Sequence, residues 1–264
     1  MRSGSQPFFF AILFTLLTGL PVAIGAEIPE YASALEKYKA GQYEESLNII
    51  RSVFDANRQS MELRMLAAAN YMEQGNYASA REHLNYCITD HPREWQPRVL
   101  LSALQRRQQQ YAGAVQVARR AIQLTSDKLE LRLEIAAALL ESRNPKAAQP
   151  HLARALELDP SSFHAQYLDG LTWLMLGNNE NAELRFRSAM ELPVPGKSAL
   201  ANLYANLAYA MEQQITPALM QNRKNHAVLR LEEASQYCQK ALALAPEHVI
   251  ANQNLKRIQA RLAD

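Results

Sequence analysis

Apolar residues recur at intervals of three and four along most of this chain, the spacing that places them on one side of an α-helix. Between residues 61 and 94, the pattern predicts a helix over Met61–Gln74 and a second helix over Tyr77–Thr89. Gly75 and Asn76 break the pattern between them, and Pro92 ends the unit. Each helix has an opposite polar side, so we expect the two to pack as an antiparallel pair.

The same pattern returns every 34 residues, and four segments, 61–94, 95–128, 129–162 and 163–196, align without a gap. Two columns of small residues fall on one face of each second helix, where they let neighbouring helices approach closely. The columns are Ala80, Ala114, Ala148 and Ala182, followed seven residues later by Cys87, Ala121, Ala155 and Ala189. A repeat of this length in a glycine-poor chain is typical of stacked helix pairs, which offer a binding surface rather than a catalytic pocket.

The best-matched unit carries small, Gly, Tyr, Ala and Pro residues at fixed places, namely Ala68, Gly75, Tyr77, Ala80, Leu84, Cys87 and Pro92. In these columns the chain resembles the tetratricopeptide repeat over nearly all of its length after residue 26. The resemblance implies an all-α, right-handed superhelical solenoid of antiparallel helix pairs. We expect six repeats, at 27–60, 61–94, 95–128, 129–162, 163–196 and 201–248, followed by a capping helix at 249–264.

Two repeats depart from the pattern. Pro150 falls inside a second helix, which it should kink because it removes a backbone hydrogen bond. The sixth repeat contains an insert at 216–229, which we expect to be either a lengthened helix or a protruding loop. In the terminal helix, Ala251 and Ile258 lie on one face and Asn254 lies elsewhere, as expected of a cap with a solvated side.

The first 26 residues have the composition of an export signal. Arg2 precedes an apolar run over Phe8–Leu20, and small residues end the segment at Ala26. The sequence therefore predicts a cleaved signal peptide at 1–26 and a mature protein in a Gram-negative periplasm. The alternative is an uncleaved segment that anchors the protein in the inner membrane, and only then do we expect membrane contact.

The net charge and the cysteine content argue against a nucleic-acid partner and against a disulfide. A net charge of +2 without a basic run gives no footprint for nucleic acid. Cys87 and Cys238 are the only cysteines, and repeat stacking should hold them too far apart for a disulfide, so we expect two free, buried thiols.

Motifs for catalysis or metal binding are missing from the sequence. The six histidines form no metal-binding pair and are interpreted as scattered surface residues. No glycine-rich phosphate loop or nucleophile elbow occurs. Adjacent carboxylates such as Glu44 and Glu45 point about 100° apart on a helix, so they are interpreted as solvated. We predict a protein that is not an enzyme, with no metal, cofactor or small-molecule substrate.

The resemblance also implies that the first helices of successive repeats line a concave groove, which would bind a protein partner. The predicted groove residues are Tyr31, Leu35, Tyr38, Met65, Ala69, Met72, Val99, Ala103, Arg106, Leu133, Ala137, Leu140, Tyr167, Leu171, Leu174 and Tyr209. This floor is apolar and lacks the Lys and Asn set that related proteins use to clamp the carboxylate of heat-shock chaperones. It suits an amphipathic helix or an extended hydrophobic segment. Alternatively, the chain's own packing or a terminal segment fills it.

The leading hypothesis is a non-catalytic periplasmic scaffold that binds an envelope protein through this groove. By resemblance, such a protein would assist assembly of a pilus, a secretion machine, a polysaccharide exporter or a cytochrome c maturation complex. The alternative is a holdase-like chaperone, which would bind many exported clients weakly where a scaffold binds one partner.

Overall fold

A computed structural model describes residues 28–124 and 126–263. The predicted signal peptide at 1–26 therefore lies outside the described residues. The described helices are α1 Pro29–Lys39, α2 Tyr43–Phe54, α3 Met61–Glu73, α4 Tyr77–Asp90, α5 Gln96–Arg107, α6 Tyr111–Leu124, α7 Leu129–Glu141, α8 Pro145–Leu158, α9 Phe163–Met175, α10 Asn179–Met190, α11 Lys197–Gln213, α12 Pro217–Asn222, α13 Lys224–Leu244 and α14 Val249–Ala263. The all-α prediction is confirmed for these ranges, which contain no strand. None of these helices has both the length and the apolar character that crossing a membrane requires.

Helix starts follow from capping side chains. Where such a cap is present, its oxygen accepts a hydrogen bond from a backbone N–H three residues further on, which satisfies a donor that the first turn leaves free. The capping residues are Ser60, Asn76, Asn144, Ser162, Asn178 and Thr216. Pro92 follows the end of α4, as predicted, and Pro160 and Pro246 follow the ends of α8 and α13 in the same way.

The turns within helix pairs share a residue in the left-handed region. Its φ lies between 61° and 78° in five turns, at Gly41, Gly75, Gln109, Arg143 and Gly177. In the turn at Gly75, the Asn76 N–H donates to the Tyr71 carbonyl at 2.8 Å, which is the wide bond of a Schellman motif. Gln109 and Arg143 adopt this conformation without being glycine, so the fold imposes the turn on side chains that favour it less.

The described helices fall into two compact units, residues 28–142 and 143–263. In the first unit, each helix contacts the next, and the first helices α1, α3, α5 and α7 also contact one another in succession. Ala80 and Ala114 are fully buried, as the small-residue columns predict. Between α1 and α2, the buried Ser46 hydroxyl donates to the Ala34 carbonyl at 2.8 Å and accepts a hydrogen bond from Asn70 at 2.9 Å.

The second unit has its core among α9, α10, α11, α13 and α14. Phe186, Leu207, Met211, Cys238 and Ile258 are all buried there. Helix α8 of this unit runs without a break from Pro145 to Leu158 and includes Pro150, whose ring is exposed.

The insert at 216–229 contains the short helix α12 and the first turns of a lengthened α13, so the lengthened-helix alternative describes its second part. After it, α14 packs against α11 and α13. Ala251 and Ile258 are buried as predicted, but Asn254 is buried too, contrary to its assignment to the solvated side. Its amide donates to the Ala205 carbonyl at 2.8 Å, and this bond compensates for the burial of a polar group.

Candidate partner-binding surface

The predicted groove residues of the first unit are mostly out of solvent. Those that are buried are Tyr31, Tyr38, Met65, Ala69, Met72, Val99, Ala103, Arg106, Leu133, Ala137 and Leu140. Leu35 is half-buried. On α3, the burial extends without interruption from Met65 to Asn70, so this helix is surrounded on every side. A partner would reach these side chains only after local rearrangement.

Helix α1 contains two buried hydroxyl groups that are not hydrogen-bonded. Neither Tyr31 nor Tyr38 has a partner for its hydroxyl among the described residues. Burial raises the pKa of Tyr31 to about 12 and raises that of Tyr38 as well, so both remain protonated donors. Leaving such a group unsatisfied costs about 1–3 kcal/mol. A carbonyl oxygen supplied by a bound segment would relieve that cost.

In the second unit, the predicted groove residues are more accessible. Tyr167 is buried, and its hydroxyl accepts a hydrogen bond from Asn206. Leu171 and Leu174 on α9 and Tyr209 on α11 are only half-buried. Because α9 and α11 contact each other, we group these three half-buried groove residues and call them the α9/α11 surface.

A charged side chain borders the α9/α11 surface. The Arg257 guanidinium lies 5.3 Å from the centroid of the Tyr209 ring and also pairs with the buried carboxylate of Glu212 at 2.6 Å. Arg261 forms a second ion pair with Glu212, at 3.3 Å. Two ion pairs and apolar packing therefore hold α14 against α11. This arrangement places the Arg257 guanidinium beside the Tyr209 ring.

Arg106, which the sequence places in the groove, lies in a buried ion cluster. Its Nε and Nη2 atoms each donate to Glu134 at 3.0 Å, and Nη1 donates to Glu141 at 2.8 Å. The side chains of Arg106 and Glu134 are each 1% exposed, whereas that of Glu141 is 24% exposed. The predicted groove set contains Arg106 but neither of these two glutamates.

The cluster predicts a dependence of stability on pH. Burial raises the pKa of Glu141 to about 7, with Arg106 opposing and Glu134 reinforcing the rise. The folded state therefore holds this proton at pH values where the unfolded chain has lost it, so stability should fall as pH rises from about 4.5 towards 7. We expect Glu141→Gln to remove on the order of 1 kcal/mol of this loss between pH 5 and pH 8.

Urea unfolding of Glu141→Gln and of the parent chain at both pH values measures the effect. The difference between the two proteins is the relevant quantity, because the buried His164 has its pKa lowered to about 4 and shifts stability in the opposite direction. Equal pH dependence in the two proteins would contradict the assignment to Glu141.

Other acidic residues are buried in ion pairs that sequence analysis also missed. Glu183 on α10 pairs with Arg187 at 2.9 Å and with Arg230 on α13 at 2.6 Å. Asp169 on α9 pairs with Arg185 at 2.7 Å. Only the Glu183–Arg187 pair had a signal in the sequence, since it has the helical spacing of four residues. The Glu183–Arg230 and Asp169–Arg185 pairs join helices, and together these ion pairs leave no free carboxylate pair for acid–base chemistry at these positions.

The burial of one histidine and of both cysteines limits the chemistry that these side chains can perform. The interpretation of the histidines as surface residues is wrong for His164, which is buried. Cys87 and Cys238 are free and buried as predicted, and burial raises the pKa of both thiols to about 12, far above that of a reactive thiol. Within residues 28–124 and 126–263, no three His, Cys, Asp or Glu side chains are placed to hold a metal ion.

Comparison with known proteins agrees with this architecture. The family model of the tetratricopeptide repeat matches residues 31–85, 66–128 and 133–191. No curated protein sequence matches the chain.

Solved structures include several of the same architecture. A tetratricopeptide repeat protein from Parabacteroides merdae has a TM-score of 0.64 and 16% identity, over 92% of this chain and 86% of its own. The pilF protein of Pseudomonas aeruginosa has a TM-score of 0.63 and 14% identity, over 88% and 96%. YrrB, described as a repeat protein of this type with an unusual peptide-binding site, has a TM-score of 0.50 and 17% identity, over 78% and 97%. At these identities the likeness establishes the fold.

Proposed function

The chain belongs to the tetratricopeptide repeat family, and on that premise we propose that it is a periplasmic scaffold that binds an apolar or amphipathic segment of an envelope protein. The fold is that of a protein–protein interaction scaffold, and proteins of this family are typically not enzymes. The proposed role is assembly of a pilus, a secretion machine or another envelope complex. Export rests on the apolar run at Phe8–Leu20.

The observation that carries the proposal is the α9/α11 surface, Leu171, Leu174 and Tyr209. Elsewhere on the first helices the predicted groove residues are largely buried, but here three large apolar side chains remain half-exposed on two helices in contact. An amphipathic helix would lay its apolar face on this surface, with leucine and aromatic contacts at the centre. Arg257 beside Tyr209 would favour a segment whose polar side is acidic.

The solved relatives add support of a limited kind. YrrB has the same fold and a peptide-binding site, so the architecture is compatible with peptide recognition. This observation favours a peptide partner over a small molecule.

Photo-crosslinking in cells tests the proposal. With p-benzoylphenylalanine in place of Leu171, we expect the full chain to capture one predominant envelope protein, identified by mass spectrometry. Leu174→Glu should reduce capture by about tenfold, because burying an unpaired carboxylate against an apolar partner costs more than 1.4 kcal/mol.

Leu184→Glu is the matched control, since Leu184 is 59% exposed on α10 and lies outside the α9/α11 surface. It should leave capture unchanged. Capture that is insensitive to Leu174→Glu would contradict the assignment of the surface, and a ladder of unrelated exported proteins would favour the holdase. Recovery of the chain in the cytoplasmic fraction would refute the periplasmic location.

A further inference from the structure

The first unit has a second concave surface, which is separate from the predicted groove. It is a cleft of about 810 Å³ formed by α4, α5 and α6. We call it the arginine groove and define it by Ile88, Arg98, Leu101, Val115, Arg119 and Arg120. None of these residues belongs to the predicted groove set, and none forms part of the α9/α11 surface.

Arg98 is an unusual feature of the arginine groove, because it is buried without a counter-ion. The residue is 7% exposed, and its Nη1 atom donates to the Glu94 carbonyl at 2.7 Å. No carboxylate pairs with it in the described part of the chain. Arg106, on the same helix, is buried with two carboxylates, so the two sites contrast sharply.

Burial of an unpaired cation is unfavourable, and the electrostatics of Arg98 agree. Burial lowers the pKa of Arg98, and the positive charge of Arg120 lowers it further. Most of the five guanidinium donors have no protein acceptor. An anion placed beside Arg98 would therefore gain charge-assisted hydrogen bonds that the protein itself does not provide.

The rest of the arginine groove combines positive charge with apolar contact. Arg119 and Arg120 are exposed neighbours on α6, and neither forms an ion pair with any described residue. Leu101 and Val115 add half-buried apolar surface to the same cleft. The surface is thus complementary to a ligand that carries both carboxylates and apolar side chains.

We propose that the arginine groove binds an acidic, partly apolar peptide segment of a protein partner. One carboxylate of the segment pairs with Arg98, further acidic side chains pair with Arg119 and Arg120, and apolar side chains pack on Leu101 and Val115. This site is independent of the α9/α11 surface and would be a second point of contact on the same scaffold.

Two observations favour a peptide over an anionic membrane. Arg98 lies below the surface of a concave cleft, where the headgroups of a flat bilayer do not reach. The exposed amides of Gln116 and Gln123 also line the cleft and can both donate to and accept from a peptide backbone. A cleft of this volume is within the range that encloses a few side chains.

Fluorescence anisotropy tests the proposal with the full chain and a short labelled peptide that contains Glu and Leu among Ser and Gly. We expect saturable binding that weakens with added salt, and about tenfold weaker binding of the same peptide with Gln in place of Glu. The double variant Arg119→Gln/Arg120→Gln should lose about tenfold in affinity, since each pair contributes a charge-assisted hydrogen bond. Both positions are exposed, so the fold should not depend on them.

The control variant is Lys146→Gln/Lys256→Gln, which removes the same charge from exposed positions outside the arginine groove. Arg98→Gln, which removes the buried cation, should also weaken binding of the Glu peptide, and unchanged binding would contradict the role of Arg98. The proposal is overturned if the arginine double variant binds the peptide like the control, or if the Glu and Gln peptides bind equally. Arginine-dependent binding to phosphatidylglycerol vesicles without binding to the peptide would overturn it in favour of a lipid ligand. Capture at the α9/α11 surface should be unaffected in every case.

Discussion

Glu134→Leu is expected to destabilise the first unit by about 3 kcal/mol, because it leaves the buried Arg106 guanidinium without its bidentate partner. Glu141 retains a single hydrogen bond to Arg106 and limits the loss. The measurement is urea unfolding followed by far-UV circular dichroism, together with amide hydrogen exchange in α5 and α7. Exchange is needed because a repeat array need not unfold in a single two-state transition.

Glu130→Leu is the matched control, since Glu130 lies on the same helix and is only half-buried. We expect it to change stability by about 0.5 kcal/mol or less. The double variant Arg106→Met/Glu134→Leu should recover part of the loss, because an apolar pair replaces the buried ions. If Glu134→Leu is no more harmful than Glu130→Leu, the ion pair has no structural role.

The sequence was sufficient to predict the helices because their causes are local. Apolar spacing, capping side chains such as Ser60 and left-handed turns such as Gly75 act within a few residues of each other. Repetition of the pattern then indicated the family. The Arg106–Glu134 pair is different, because it joins side chains of successive first helices and depends on their rotamers. In the sequence, it appeared only as the single arginine among the predicted groove residues.

The binding surface could be predicted only in part for a related reason. A repeat motif indicates which face of a first helix points inward, and it does so without regard to what covers that face. Ala69 and Met72 are buried, although Leu171 and Leu174 occupy the same positions three repeats later and are only half-buried. The arginine groove was missed because Arg98 lies at a position that the motif does not assign to binding.

Gly170→Ala is expected to destabilise the second unit by about 2 kcal/mol, although alanine is the better helix former by about 1 kcal/mol. A Cβ atom at Gly170 on α9 would lie 2.5 Å from Cε1 of Phe186 on α10. Phe186 is fully buried, and its ring centroid lies 5.5 Å from that of Tyr167, so it has little room to move. The same urea measurement applies.

A double-mutant cycle with Phe186→Leu separates crowding from other effects of the added methyl group. Three repeats earlier, Ala68 and Leu84 occupy the positions of Gly170 and Phe186, so Gly170→Ala/Phe186→Leu copies a pair that the chain already contains. We expect the double variant to be more stable than the sum of the single effects by about 1 kcal/mol or more. If the effects of the two substitutions on stability are strictly additive, Gly170 is not needed to make room for the Phe186 ring. A favourable coupling would show that the side-chain volumes at the Gly170 and Phe186 positions are matched, so that the residue at one position limits which residue fits at the other.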